Sequence, residues 1–149
     1  MYEKEYDIRW VDLDPNGHMR HSAYLDYGAQ IRLAAMADNG LSMGQMATYG
    51  VGPVLFRESI DYHREIRGGE TIRVGTELTG ISKNGKHWRM RHVIKKADGE
   101  VAAVIEVRGA WLDLKARRIA PAPDEVQAMV SAMPRSDDFE EFESGKQGN

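Results

Sequence analysis

Asp12-Leu13-Asp14-Pro15-Asn16-Gly17-His18-Met19-Arg20-His21 joins two segments of opposite character. Before it, Tyr2 to Val11 reads as a strand; after it, the chain turns helical near Ser22. The stretch therefore places two carboxylates, a turn and two imidazoles at a strand-to-helix junction, where the free N–H groups of a helix start converge with side chains. Asp14-Pro15-Asn16-Gly17 has the residues of a β-turn, with Asp first, Pro second and Gly fourth.

Working outward, Tyr24, Tyr27, Ile31, Ala34 and Ala35 recur at roughly helical spacing between Ser22 and Asn39, and Leu25, Leu33 and Met36 widen the apolar face. So broad a face predicts a helix wrapped by other elements, capped near His21 or Ser22 and stopped at Gly40. A short second helix over Leu41 to Tyr49 is expected to end at Gly50-Val51-Gly52-Pro53. The period then changes to two. Val54 to Arg67, Glu70 to Ser82, Lys86 to Lys96 and Glu100 to Leu114 read as long strands, joined by turns at Gly68-Gly69, Asn84-Gly85 and Asp98-Gly99. One strand, one buried helix and an antiparallel meander make an α+β pattern without parallel-sheet alternation. Pro121-Ala122-Pro123 ends the sheet, Asp124 to Met133 reads as a terminal helix, and residues 134–149 read as an acidic, mobile tail behind a single domain of residues 1–133.

Three chemistries suit the junction. A calcium loop fits Asp12-x-Asp14-x-Asn16-Gly17, but its last ligand position would be Ala23 and its ninth Arg20, which excludes it. A metal site built on Asp14, His18 and His21 is disfavoured because Asn16-Gly17 breaks the continuity between them. The third is acyl transfer: Asp14 as nucleophile or general base, with the helix N-terminus stabilising a developing oxyanion. Asp12, two positions before Asp14, reads as a turn or surface carboxylate.

These residues resemble the hotdog-fold acyl-CoA thioesterases of the 4-hydroxybenzoyl-CoA thioesterase type, in which a strand is followed by Asp-x-Asp-x-x-Gly and a helix opening with Tyr-Leu, here Asp12 to Gly17 and Tyr24-Leu25. The resemblance implies an antiparallel sheet wrapped around a long central helix, and a thioester hydrolase without a cofactor or metal. It maps the catalytic carboxylate to Asp14 and the carbonyl-polarising amide to His21, with the His21 and His18 side chains assisting and Gly17 and Tyr24 at the substrate. Coenzyme A phosphates call for cations, for which Arg57, Lys83 and Lys86 are candidates beside His63, Arg64, Arg89 and Arg91. The family further implies a homodimer or homotetramer with a shared site. The competing reading is a non-catalytic module that binds acyl-CoA or an acyl carrier protein.

Composition narrows the class independently. A chain of 149 residues is one domain by length and buries roughly 70% of its unfolded surface. A net charge of −3, with 20 basic and 23 acidic residues intermixed, offers no stripe for nucleic acid or an anionic membrane. The absence of cysteine excludes disulfides and thiolate nucleophiles. The charged N-terminus and the lack of any run near ~18 apolar residues read as a cytoplasmic protein.

Overall fold

A computed structural model describes residues 1–144. The elements are β1 (Tyr2–Asp7), α1 (Ala23–Asp38), α2 (Met43–Tyr49), β2 (Val51–Tyr62), β3 (Thr71–Ser82), β4 (His87–Lys95), β5 (Val101–Asp113), β6 (Arg118–Ile119), α3 (Asp124–Ser131) and β7 (Arg135–Phe142). They form one sheet of order β1-β3-β4-β5-β2, with β6 on β5 and β7 on β3. Helix α1 lies across the sheet, which is the hotdog architecture.

The helix-facing side chains of the sheet form the core: Val74 and Leu78 of β3, Trp88, Met90 and Ile94 of β4, and Ile105 and Val107 of β5 are all buried. Helix α1 meets them with Tyr24, Gly28, Ile31, Arg32 and Ala35. Gly28 sets the closest approach, since a Cβ there would stand 3.1 Å from both His92 and Ile105. Trp88 and Trp111, neighbours with ring centroids 6.4 Å apart, belong to this core.

Four expectations need correction. Strand β1 stops at Asp7, and Trp10–Asp12 forms a 3-10 turn, because the Asp12 carboxylate folds back onto the Arg9 backbone N–H and guanidinium. Strand β2 begins at Val51, so Pro53 lies within it; β2 ends the sheet order, and an edge strand tolerates a residue without an N–H. The strands are not a simple meander: β2 pairs with β5, and residues 63–70 carry the chain across the end of the sheet to β3. Finally, most of the segment expected to be a mobile tail forms β7, parallel to β3. Phe142 lies under Arg89 at 3.8 Å, and Asp138 and Glu140 pair with Arg91 and Arg89, which gives this acidic segment charges to dock on. Residues 145–149 of that expected tail lie outside the described residues. Among the described residues, no helix is long and apolar enough to cross a membrane.

Candidate active site

The loop from Leu13 to His21 is fixed before any side chain is considered. Asp14 N–H donates to the His18 carbonyl at 2.8 Å, Gly17 N–H to the Asp14 carbonyl at 3.0 Å, and Gly17 holds φ = +77°, which glycine adopts without strain. The crossover segment clamps it from outside: Met19 N–H donates to Ile66, and Gly68 N–H to the Gly17 carbonyl. Asp14 is half-buried. Its Oδ1 accepts the N–H groups of Asn16 (2.9 Å) and His18 (3.1 Å), while Oδ2 has no hydrogen-bond partner among the described residues. One oxygen builds the turn and the other remains available.

Asp14, His18, His21, Tyr24, Tyr62 and Arg64 line a cavity of about 400 Å³ at the start of α1. Tyr62, the last residue of β2, donates to the His21 carbonyl at 3.0 Å and meets Tyr24 edge-on with ring centroids 5.1 Å apart. That bond orients the peptide between His21 and Ser22 at the helix entrance. The His21 N–H donates to no group among the described residues. His18 Nδ1 lies 3.2 Å from Glu65 Oε2, which orients the ring. Burial, then the neighbouring Tyr62, raises the Tyr24 hydroxyl above its ordinary value, so Tyr24 is a neutral wall of the cavity. Among the described residues, no three His, Asp or Glu side chains converge as metal ligands. The arrangement juxtaposes an ionisable oxygen and a helix entrance with open backbone donors, the two requirements of acyl transfer.

The model of the thioesterase-like superfamily matches residues 8–130. The chain belongs to the thioesterase-like superfamily. It is thus a hotdog-fold thioester hydrolase, and the junction motif and the fold agree with that membership. No curated protein sequence matches the thioesterase significantly. Among solved structures, a thioesterase from Thermus thermophilus, complexed with coenzyme A and Zn, is 28% identical, with 87% of this chain and 97% of that one covered and a TM-score of 0.73. The Staphylococcus aureus protein SAV2348, solved in complex with CoA, is 16% identical, with 97% and 89% covered and a TM-score of 0.81. The 1,4-dihydroxy-2-naphthoyl-CoA thioesterase Slr0204 from Synechocystis is 18% identical, with 88% and 96% covered and a TM-score of 0.78.

The residues that the sequence predicts for the site fall unevenly in the structure. Asp14, His18, His21 and Tyr24 line one cavity, and Gly17 shapes the turn beneath it. Arg57, Lys83 and Lys86 do not reach it within one chain. Arg57 lines a second cavity with Arg89, Arg91 and Arg108; Lys83 pairs with Glu143 at 3.0 Å, and Lys86 follows the β3–β4 turn. Asp12 is not a surface carboxylate: it is fully buried, held by Arg9 at 2.8 Å and by the Tyr27 hydroxyl at 2.5 Å. Tyr62 and Glu65, which also line the cavity, are not singled out by the sequence. Tyr62 carries the one visible signal, the end of a period-two run through Glu58 and Ile60; Glu65 lies in a crossover that periodicity does not describe.

Proposed function

We propose that the protein hydrolyses acyl-CoA thioesters to a carboxylic acid and CoA in the Asp14 cavity. The carrying observation is the unpartnered Asp14 Oδ2 beside the open entrance of α1. A thioester carbonyl laid against that entrance would direct its developing oxyanion at the His21 N–H and the positive end of the helix, an interaction whose loss costs ~3–4 kcal/mol in comparable sites. Asp14 then attacks the carbonyl carbon, or takes a proton from the attacking water. His18, oriented by Glu65, and the His21 side chain assist, and Gly17 and Tyr24 shape the substrate's seat.

We further infer a homodimer formed through β2. Its outer edge has no strand partner, and Leu55, Phe56 and Tyr62 on it are exposed. Antiparallel pairing of two β2 strands would reverse one sheet against the other and bring the partner's Lys83–Lys86 hairpin end toward the Asp14 end, where its cations would meet CoA phosphates. This geometry supports Lys83 and Lys86 as substrate-binding residues supplied in trans, and a cytoplasmic setting supplies the CoA.

The test is thiol release from a panel of aliphatic and aromatic acyl-CoAs, followed with a chromogenic disulfide against a cysteine-free background. Asp14→Asn should lower turnover by about 10²–10⁴-fold while CoA binding persists. Binding without release by the parent protein on every substrate would establish the non-catalytic module instead, and equal release by Asp14→Asn would refute the assigned carboxylate.

A further inference from the structure

On the face of the sheet turned away from α1, Arg57 of β2 stands directly opposite Arg108 of β5, and Arg108 directly opposite Arg89 of β4. Directly paired residues of antiparallel strands project on the same side, so three guanidinium groups stand abreast. Like charges in that relation destabilise a sheet unless something negative lies between them. The nearby carboxylates are engaged elsewhere: Glu140 holds Arg89 at 2.6 Å, while Glu106 and Asp138 hold Arg91 at 2.6 and 2.9 Å. Arg57 and Arg108 have no carboxylate partner among the described residues.

The backbone makes this row deliberately. The register of β2 against β5 slips between Leu55 and Arg57, so the extra residue is Phe56; without the slip, Phe56 would face Arg108. A second slip, in β3 between Leu78 and Gly80, leaves Thr79 as the extra residue and sets Gly80 opposite Arg89. Bulges re-aim side chains and cluster beside functional sites, and here two of them border one cavity of about 300 Å³ that also takes in the Ser59 hydroxyl.

We propose that this outer face binds a phosphate-bearing ligand between Arg57 and Arg108, at a site separate from the Asp14 cavity. Planar guanidinium groups suit phosphoryl oxygens because each donates two parallel N–H bonds, and the exposed Ser59 adds a hydroxyl donor at the rim. The carboxylates of β7 lie on the β3–β4 side, and Glu106 of β5, directly opposite Ser59, is held by Arg91, which leaves Arg57 and Arg108 as the cations of the β2–β5 half without a carboxylate partner among the described residues. Arg57, Arg108 and Ser59 carry the recognition. This site does not depend on the hydrolytic reading, because its ligand need not be a thioester.

Inorganic pyrophosphate titrated into the full chain at constant ionic strength, read by calorimetry and by backbone amide NMR shifts, tests it. Binding should saturate, with shifts centred on Arg57, Ser59 and Arg108. Arg108→Gln should weaken it about ten- to hundredfold, whereas Arg118→Gln, which removes the same charge on β6, should leave affinity within about twofold. Arg108→Gln relieves repulsion between neighbours, so its thermal midpoint without ligand should not fall, which separates lost binding from lost fold. A parallel titration with adenosine 3′,5′-bisphosphate distinguishes sources: tighter binding than pyrophosphate assigns the nucleotide end of CoA, and equal or weaker binding a free phosphate compound. Absence of saturation with both, or equal weakening by both variants, would overturn the proposal.

Discussion

Asp12 and Asp14 stand two positions apart in sequence and differ in their entire environment in the structure. Burial alone would raise the Asp12 pKa, but the Arg9 guanidinium, the Tyr27 hydroxyl and the Arg9 backbone N–H outweigh it and hold the carboxyl below its ordinary value. The other half of the pair moves oppositely: burial and the adjacent Asp12 push Tyr27 up to about 12. A depressed carboxyl stabilises the fold above its ordinary pKa of 3.8, and that contribution is lost as pH falls through the folded value. A raised phenol stabilises below its ordinary 10.0 and is lost as pH climbs toward 12. Tyr27→Phe should therefore cost about 1–3 kcal/mol at neutral pH, by withdrawing a donor from a buried carboxylate, and should flatten the alkaline loss of stability. Urea unfolding at pH 7 and above pH 10 would show it; an unchanged alkaline slope would remove Tyr27 as the titrating group.

At the scale of elements, the seat of α1 on the sheet is polar at one point. Arg32 reaches His92 Nε2 at 3.1 Å, and a guanidinium only donates, so Nε2 is the acceptor and the Nδ1–H donates to Thr76 Oγ1 at 2.8 Å. Burial, then the Arg32 charge, lowers the His92 pKa to about 3. A depressed imidazole stabilises above its ordinary 6.5 and loses that contribution as pH falls toward 3, because only the unfolded chain takes up the proton. The slope from this one group approaches about 1.4 kcal/mol per pH unit. His92→Gln should flatten stability between pH 6 and about 4, measured by denaturant titration. Packing is as exacting on β5, where the buried Trp88 ring crosses Gly109 and a Cβ would also stand 2.5 Å from the Val54 carbonyl oxygen. Gly109→Ala should cost about 3 kcal/mol, since rigid ring and backbone cannot both yield; a thermal midpoint equal to the parent's would show that β2 or β4 shifts freely.

For the whole molecule, the sheet manages its two edges differently. The β3 edge is covered by β1 along one half and β7 along the other, whereas the β2 edge is bare. Sedimentation should give twice the 16.8 kDa chain mass, and a Leu55→Lys/Phe56→Lys protein should shift toward the monomer and lose turnover with it if hairpin cations act in trans. A monomeric parent at micromolar concentration would end the β2 assembly reading.

Local chemistry explains what was legible in the sequence. The Asn84-Gly85 and Asp98-Gly99 hairpins, the apolar breadth of α1 and the Asp14 to Gly17 turn are specified by neighbouring residues, and the structure keeps them; Gly85 and Gly99 have φ of +72° and +89°, as such turns demand. The same holds for most of the site, because Asp14, His18, His21 and Tyr24 lie within eleven consecutive residues. Contacts between distant segments decided the rest. Which strand lies beside β2 depends on a crossover whose anchor, Ile66, is buried against a loop far earlier in the chain. The acidic run at Asp137 to Glu141 reads as solvated until Arg89 and Arg91, on a strand some fifty residues away, present charges for it to pair with. Asp12 looks like its neighbour until Tyr27 and Arg9 close over it. The sequence alone determined the Asn84-Gly85 and Asp98-Gly99 turns, the helical period of α1 and the carboxylate at the helix entrance, because these depend on short-range sterics and hydrogen bonding. The tertiary structure decided which charges are buried, which strands are edges and which arginines stand abreast, because burial and cross-strand register exist only once remote segments meet.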